Sequence, residues 1–268
     1  MLITNDDVAF FREVGYLRIS NVYTPSEMDE LERGLDFMME EWAITEIGWT
    51  GPWRKEYMDE ETERKSRLTS LHDLHFYSEA WMRAVSKREL VDSISALLGS
   101  PNVELHHSTL HAKPPESGHP FPMHQDNAFY EHENDRYLDV LVHLDDTCHA
   151  NGEIRFLRGS HAGGALPHIT VTPEGEACTP HLDTGAYKLE DTTPVSAKRG
   201  DVVCFNIFTV HGSYINTTNA VRRLVRVGYR DPLNRQLSGQ SIGRPNIIVK
   251  GQRPRAGETA PLTNEAVV

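Results

Sequence analysis

The sequence predicts an α+β fold that is mainly β, in which an antiparallel double-sheet barrel follows a helical region. Helical patterns dominate before about residue 100, whereas short strand-like runs separated by Gly and Pro follow from about residue 103. The length of 268 residues suits one domain of this kind and can bury a sizeable core. We expect one domain over 1–255, with helical additions over 1–100 and the barrel over 101–232, followed by a mobile tail over 256–268.

The helical region begins with a short helix and a strand. Asn5 can cap a helix over residues 5–14, which Gly15 ends, and residues 16–19 are typical of a strand. Helical periodicity returns over 78–98 and stops at a glycine. These elements precede the barrel and are expected to pack on it.

A second helix has a clear start signal. Thr24 is placed as its N-cap, Pro25 at the first helical position and Glu27 at the third, which is the pattern of a capping box. Its apolar stripe, which is typical of core packing, consists of Met28, Leu31, Leu35, Met38, Met39 and Trp42.

Residues 46–70 have a mixed composition and carry an acidic run, so we expect a surface loop whose charges are solvated. Trp49 and Trp53 flank a Gly-Pro pair there and are available to cover a pocket as a lid. The candidate strands that follow are 103–113, 138–145, 153–158, 168–172, 201–206 and 221–230.

Composition excludes several classes of function. The net charge of −12 argues against nucleic acid or an anionic membrane as the main partner. The three cysteines are too few for a disulfide framework, and the acidic N-terminus lacks a signal-peptide pattern, so we expect a cytoplasmic protein. No apolar stretch is long enough for a membrane span, and the sequence leaves the oligomeric state open.

The most informative motif is an H-x-D at His124 and Asp126, with His211 far downstream and Arg222 shortly after it. Residues i and i+2 at a strand end point to the same side, so both side chains of the motif can reach one ion. Two histidines and one carboxylate on one face of a metal leave three positions open, which is the ligand set of non-haem Fe(II) oxygenases. The arginine offers a fork of donors for a distant carboxylate.

These residues lie in stretches that resemble the phytanoyl-CoA dioxygenase family of Fe(II)/2-oxoglutarate-dependent oxygenases. The resemblance covers roughly residues 7–230. Its matching stretches are FFREVGYLRISNVYTPSE, AKPPESG, MHQD, LDDTCHANGEIRFLRGSH, VHGS and Arg222.

The resemblance implies a double-stranded β-helix (jelly-roll, cupin-like) core with N-terminal helices packed on it. It implies Fe(II) bound by His124, Asp126 and His211, with 2-oxoglutarate and O2 as co-substrates. The co-substrate contacts that it implies are Arg222 and Ser213 at the 5-carboxylate, with Thr109, Gln125 and His143 as further contacts. His143 stands where some members have an aromatic residue.

The activity that the resemblance implies is hydroxylation, or another oxidation, of an unactivated C–H bond in a small organic molecule, with release of succinate and CO2. Iron halogenases of this fold have a small residue at the position of Asp126, so the carboxylate favours oxygen chemistry. The alternatives are a metal-dependent reaction without 2-oxoglutarate, such as epimerisation, and a binding module on the same barrel that has lost its metal. The primary substrate is not readable from the sequence.

Strand alternation adds candidate pocket residues. On 103–113 one face carries four polar residues, His107, Thr109, His111 and Lys113, which suits either a wet pocket or a solvated outer face. On 221–230, Arg226 and Arg230 share a face with Arg222, and they either join it in the barrel or pair with surface acids. The dense histidines at 106, 107 and 111 could instead bind zinc, although no thiolate lies near in the sequence.

The substrate side is predicted from a mixture of loop aromatics and strand residues. The aromatics either line the cavity or merely pack their own loop. The predicted substrate-binding residues are Trp53, His107, Phe129, Tyr130 and Arg230.

Overall fold

A computed structural model describes residues 2–244 and 246–255 of the chain; the predicted tail over 256–268 lies outside the described residues. The helices are α1 (Asn5–Val14), α2 (Pro25–Glu41), α3 (Arg54–Tyr57), α4 (Glu60–Lys65), α5 (Glu79–Val85) and α6 (Arg88–Leu98). The strands of the first half are β1 (Tyr16–Ile19), β2 (Ile44–Glu46), β3 (Leu68–His72), β4 (Val103–Lys113), β5 (Phe121–His124) and β6 (Tyr137–His143). Those of the second half are β7 (Ile154–Phe156), β8 (Ile169–Val171), β9 (Ala177–His181), β10 (Thr193–Val195), β11 (Val202–Asn206), β12 (His211–Ser213), β13 (Arg222–Arg230) and β14 (Ile247–Lys250).

Two antiparallel sheets form the barrel. The large sheet has the order β1-β11-β6-β13-β4-β3-β2, with β14 also paired to β4, and the small sheet has the order β10-β7-β12-β5. Strands β8 and β9 pair separately. Phe156 of the small sheet packs against Phe205 of the large one, with ring centroids 5.3 Å apart. This closed double-sheet arrangement confirms the predicted jelly-roll core.

The large sheet has one face toward the small sheet and one toward the helices, and successive residues alternate between the faces. The side chains in the core under the helices include Val140, Val142, Cys204, Val225 and Val227. Those that face the small sheet include Leu141, Val203, Phe205 and Leu224. Because the helices cover the outer face, β13 can direct its other side chains, including two arginines, into the barrel.

The predicted helix starts follow the capping logic with one correction. Thr24 and Glu27 form a capping box at α2, as the sequence predicts. At α1 the cap is Thr4, not Asn5, because Thr4 exchanges the two capping hydrogen bonds with Asp7. In α2 the stripe is buried through Met38, whereas Trp42 follows the helix end and is exposed. The pattern over 78–98 is two helices, α5 and α6, rather than one.

The segment over 46–70 is more ordered than a surface loop. It contains α3, α4 and the start of β3, which extends the large sheet beside β4. Trp53 is 1% exposed and packs against Tyr57 and His119, so its ring lies in the packed interior and is not a lid over a pocket. The helices of the described residues include none that is both long and apolar enough to cross a bilayer.

Candidate metal centre

Strand pairing closes the long sequence gap between the two motif histidines. Strands β5 and β12 are antiparallel neighbours, and His211 lies directly opposite His124 in their register. The two imidazole centroids are 4.1 Å apart. Asp126 follows β5 in a short 3-10 turn, and all three side chains are buried. The fold therefore converts a motif spread over the sequence into one compact cluster.

Backbone carbonyls orient both imidazoles. His124 Nδ1 lies 2.7 Å from the carbonyl oxygen of Pro122, and His211 Nδ1 lies 2.9 Å from that of Thr209. A ring nitrogen that meets a carbonyl must carry the proton, which leaves each Nε2 as the free lone pair. The Nε2 atoms of His124 and His211 lie 3.4 and 3.8 Å from Asp126 Oδ1.

The ligand atoms of this trio all lie within 4.8 Å of one another, close enough to surround one ion. Within 2–244 and 246–255, it is the one group of three or more His, Cys, Asp or Glu side chains placed in this way. The alternative of a zinc site at the dense histidines over 106–111 is therefore wrong for the described residues. His106 Nδ1 instead lies 2.9 Å from the Tyr137 hydroxyl.

The electrostatics keep Asp126 and His211 in the forms that bind metals. Burial alone would raise the pKa of Asp126, but Arg226 and His211 lower it well below its usual value. Burial, with His124 nearby, lowers the pKa of His211 to about 3. A charged carboxylate beside neutral imidazoles is the donor set that Fe(II) prefers. The residues present thus fit the metal that the sequence predicts.

Across the cavity, Arg222 is buried and has no carboxylate partner within the described part of the chain. Its Nη2 donates to the carbonyl oxygen of Gly152 at 3.2 Å, while its buried Nη1 has no hydrogen-bond partner among those residues. Lys113 lies opposite Arg222 in the register of β4 and β13. Its Nζ donates to Ser213 Oγ at 2.8 Å and to the carbonyl oxygen of Tyr214, while burial and the charge of Arg222 lower the pKa of Lys113 well below its usual value. The buried guanidinium of Arg222, with Ser213 and the nitrogen donor of Lys113, forms a cradle suited to an external carboxylate.

Lys113 is a candidate that the sequence reasoning did not assign. The alternation of side chains along 103–113 places Lys113 on the polar face of that strand. The pattern alone does not say which basic side chain reaches the co-substrate. The structure brings Lys113 to Ser213, one of the residues implied at the 5-carboxylate.

The further implied co-substrate residues have other partners. Gln125 holds a neighbouring loop, because its amide donates to the carbonyls of Gly164 and Phe208 and accepts from the N–H of Leu166. The Thr109 hydroxyl lies 3.2 Å from His72 Nδ1. His143 is buried, its Nε2 has no hydrogen-bond partner in the part of the chain that the structure describes, and it is not among the residues that line the cavity.

The cavity between the metal trio and Arg222 is narrow, with a volume of about 40 Å³. Its apolar wall consists of Phe121, Leu141, Ile154, Phe205 and Leu224. The tryptophan that lines it is Trp49, whose ring lies 4.7 Å from that of His124. Trp53, the predicted tryptophan, lies outside this lining. His111 also lines the cavity and forms no hydrogen bond within the described part of the chain.

The other predicted substrate residues divide into two groups. Phe129 packs on Trp49 with centroids 4.6 Å apart, close to the metal trio. His107 and Tyr130 are buried behind Asp126, where both contact Arg226. Arg230 pairs with Glu104 at 2.6 Å, away from the cavity lining. The structure therefore separates residues that the sequence placed together at a pocket mouth.

Comparison with known proteins defines the class of this chain. The family described as "Phytanoyl-CoA dioxygenase (PhyH)" matches residues 11–224, and the chain belongs to this family. It is a non-haem iron oxygenase that depends on 2-oxoglutarate, as its sequence motif and its buried trio indicate.

Particular relatives sharpen the comparison. The chain is 30% identical to a probable alpha-ketoglutarate-dependent hypophosphite dioxygenase from Stutzerimonas stutzeri, over 82% of this chain and 76% of the relative. It is 26% identical to an ectoine dioxygenase from Streptomyces coelicolor, over 87% and 80% of the two chains. It is 29% identical to an L-proline trans-4-hydroxylase from Streptomyces griseoviridis, over 61% and 67%.

Solved structures agree on the fold. The alpha ketoglutarate dependent carbocyclase SnoK from nogalamycin biosynthesis superposes with a TM-score of 0.73 at 20% identity, covering 90% of this chain and 89% of SnoK. EctD from S. alaskensis with bound Fe superposes with a TM-score of 0.66 at 22% identity, covering 91% and 82%.

Proposed function

We propose that the protein hydroxylates an unactivated C–H bond of a small organic molecule, with Fe(II) held by His124, Asp126 and His211. The observation that supports this proposal is the buried trio, whose Nε2 and Oδ1 atoms converge on one side of a narrow cavity. On the other side lies Arg222, whose Nη1 has no hydrogen-bond partner among the described residues. When bound, Fe(II) and 2-oxoglutarate would allow O2 to hydroxylate the C–H bond, while 2-oxoglutarate is oxidised to succinate and CO2.

The protein's first task is to bind 2-oxoglutarate in one orientation. The 5-carboxylate would accept from the unpaired Nη1 of Arg222, and Ser213 and Lys113 would complete the cradle. These residues would fix the distal carboxylate, so that the oxoacid end would be directed toward the trio. Burial lowers the pKa of Arg222 to about 10, still high enough for the guanidinium to be charged at neutral pH.

Its second task is to exclude water and place the substrate. The apolar side chains of the cavity wall keep the reacting region dry. Trp49 and His111 would contact the substrate, since both line the cavity. Burial lowers the pKa of His111 well below its usual value, so its ring is neutral and can both donate and accept.

The substrate is proposed to be small. The relatives named for hypophosphite, ectoine and L-proline support this choice. The single catalytic domain over 1–255 and the cytoplasmic location remain proposals, and three free cysteines suit a reducing compartment. Nucleic acid is not proposed as a partner, given the net charge of −12.

A screen of small metabolites by succinate release tests the proposal. The purified protein with Fe(II), 2-oxoglutarate and O2 should release succinate faster with the right compound, in proportion to a hydroxylated product. The matched control is His211→Ala, which keeps Arg222 but removes a metal ligand and should release none.

Other outcomes identify the alternatives. Substrate conversion without succinate would indicate the 2-oxoglutarate-independent reaction. Binding of small molecules without metal uptake would indicate the metal-lost module, and either outcome would contradict the proposed hydroxylation.

A further inference from the structure

The two oxygens of Asp126 have different surroundings. Oδ1 faces the two histidines, with the Nε2 atoms at 3.4 and 3.8 Å. Oδ2 lies 3.0 Å from Nη1 of Arg226 as an ion pair that lacks hydrogen-bond geometry. The buried carboxyl of Asp139, whose pKa is raised well above its usual value by burial and by Asp126, is a second neighbour of Asp126. The ion pair with Arg226 is buried, with the two side chains 2% and 8% exposed, so bulk water does not screen it. One oxygen is therefore directed to the metal position and the other to a fixed cation.

Arg226 is itself held in place by two other side chains. Nη1 donates to the Tyr130 hydroxyl at 2.6 Å, and Nη2 donates to His107 Nε2 at 3.1 Å. The Tyr130 hydroxyl in turn donates to Asp139 Oδ2 at 2.8 Å. A planar guanidinium with donors engaged on separate sides has little freedom to rotate.

The hydrogen bonds behind Arg226 have a single consistent direction. Since a guanidinium only donates, His107 Nε2 accepts, and His107 Nδ1 then donates to His106 Nδ1 at 2.8 Å. His106 Nε2 is left to donate to Gln236 Oε1 at 2.9 Å. Every ring nitrogen of His107 and His106 donates or accepts a hydrogen bond in this series. The network therefore fixes Arg226 from the side opposite Asp126.

We propose that Arg226 is a positioning residue that keeps Asp126 monodentate, by holding Oδ2 away from the metal. This inference rests on the proposed function, because it assumes that the trio binds the metal. A free carboxylate can chelate through both oxygens and would then occupy a fourth coordination position. With Oδ2 held by Arg226, three positions stay open, as two for a chelating oxoacid and one for O2 require.

The number of water molecules on bound Mn(II) tests the proposal without any turnover. Mn(II) is a suitable probe because it favours oxygen and imidazole ligands and is paramagnetic. Without 2-oxoglutarate, the wild type should carry about three waters on Mn(II), counted from the broadening of its electron paramagnetic resonance lines in ¹⁷O-labelled water. Arg226→Met should lose about one of them, as Oδ2 takes the vacated position.

Two conservative variants guard against a folding defect in Arg226→Met. Arg226→Lys keeps one charged donor and should restore the wild-type water count. Tyr130→Phe removes an anchor of the guanidinium without changing any charge, and should give a mixture of the two counts.

The matched control is Arg222→Met. It removes a second buried guanidinium from the same strand and face but leaves the Asp126 contact intact. The number of waters on its Mn(II) should equal that of the wild type. The expected change in Mn(II) coordination depends on the contact between Arg226 and Asp126 and not on a general loss of positive charge.

An unchanged water count in both Arg226→Met and Tyr130→Phe would overturn the inference while leaving the proposed metal site intact. Equal losses in Arg226→Met and Arg222→Met would overturn it as well, since charge alone would then explain them. If the wild type binds no Mn(II), or if His211→Ala binds Mn(II) as well as the wild type does, the proposed function fails. The inference then fails with it.

Discussion

Arg222 and Arg226 stand four residues apart on one face of β13, yet their surroundings are opposite. Arg226 has Asp126 at 3.0 Å from Nη1 and donates to Tyr130 and His107. Its Nε lies 3.9 Å from Asp139 Oδ1 and has no hydrogen-bond partner among the described residues. Among residues 2–244 and 246–255, the hydrogen-bond partners of Arg222 are the backbone carbonyls of Asn151 and Gly152, and its Nη1 has none. A buried charge is costly unless it is paired, so an unpaired one marks a place for an external anion. Arg226 holds a metal ligand in place, whereas Arg222 is positioned to bind an external carboxylate.

The strongest test of this contrast is the stability of the metal-free protein. Arg226→Met should lower the free energy of unfolding by about 3–5 kcal/mol, because it leaves Asp126 buried without its cation. Arg222→Met should leave the free energy of unfolding unchanged or raise it, since no carboxylate partner is lost. Urea denaturation followed by circular dichroism measures both. Equal destabilisation of the two variants would mean that the contrast has no energetic meaning.

The second prediction concerns the affinity for 2-oxoglutarate. Arg222→Met should weaken binding to the Mn(II)-loaded protein by about 1.5–3 kcal/mol, or at least about tenfold, with the loss of charged hydrogen bonds. Calorimetric titration measures the dissociation constant. Arg223→Met is the matched control, because this neighbour faces Asp145 and Glu32 instead of the cavity. An unchanged constant in Arg222→Met would assign the 5-carboxylate to another base.

The third prediction uses pH and His143, which lies near Arg222. Burial and then the charge of Arg222 lower the pKa of His143 to about 4. Since the unfolded chain binds this proton at about pH 6.5, the stability is full above pH 6.5 and falls as the pH drops toward 4. His143→Leu should reduce that dependence by up to about 1.4 kcal/mol per pH unit. Urea midpoints at several pH values measure it, and an unchanged slope would show that the pKa of His143 is the same in the native and unfolded states.

The smallest predicted effect separates Lys113 from Thr109. Lys113→Met should weaken 2-oxoglutarate binding by about 1 kcal/mol, roughly fivefold, because it removes a donor from the cradle. Thr109→Val should change it little, since this hydroxyl contacts His72, whereas Lys113 contacts Ser213, which lines the cavity. The reverse result would favour the co-substrate contact implied by the family resemblance over the one drawn from the structure.

Local signals in the sequence were enough for much of the fold. The capping box at Thr24 and the 11-residue alternation over 103–113 appear in the structure with the predicted bounds. Strands β5 and β12, which the sequence pattern did not predict, are four and three residues long, and such runs show few alternations. They are defined by their pairing partners, which the sequence does not display.

The sequence by itself determined the composition of the metal trio, since an H-x-D, a later histidine and an arginine follow one another in an informative order. Only the tertiary structure decided how the remaining polar residues divide. Trp49 and Trp53 have the same local context, but sheet packing turns one to the cavity and buries the other against His119. Arg222 and Arg226 share strand and face, and only the position of Asp126 at the end of β5 makes one a partner and leaves the other unpaired. Periodicity states which face a side chain occupies, whereas its charge partner comes from distant segments that only the closed barrel brings together.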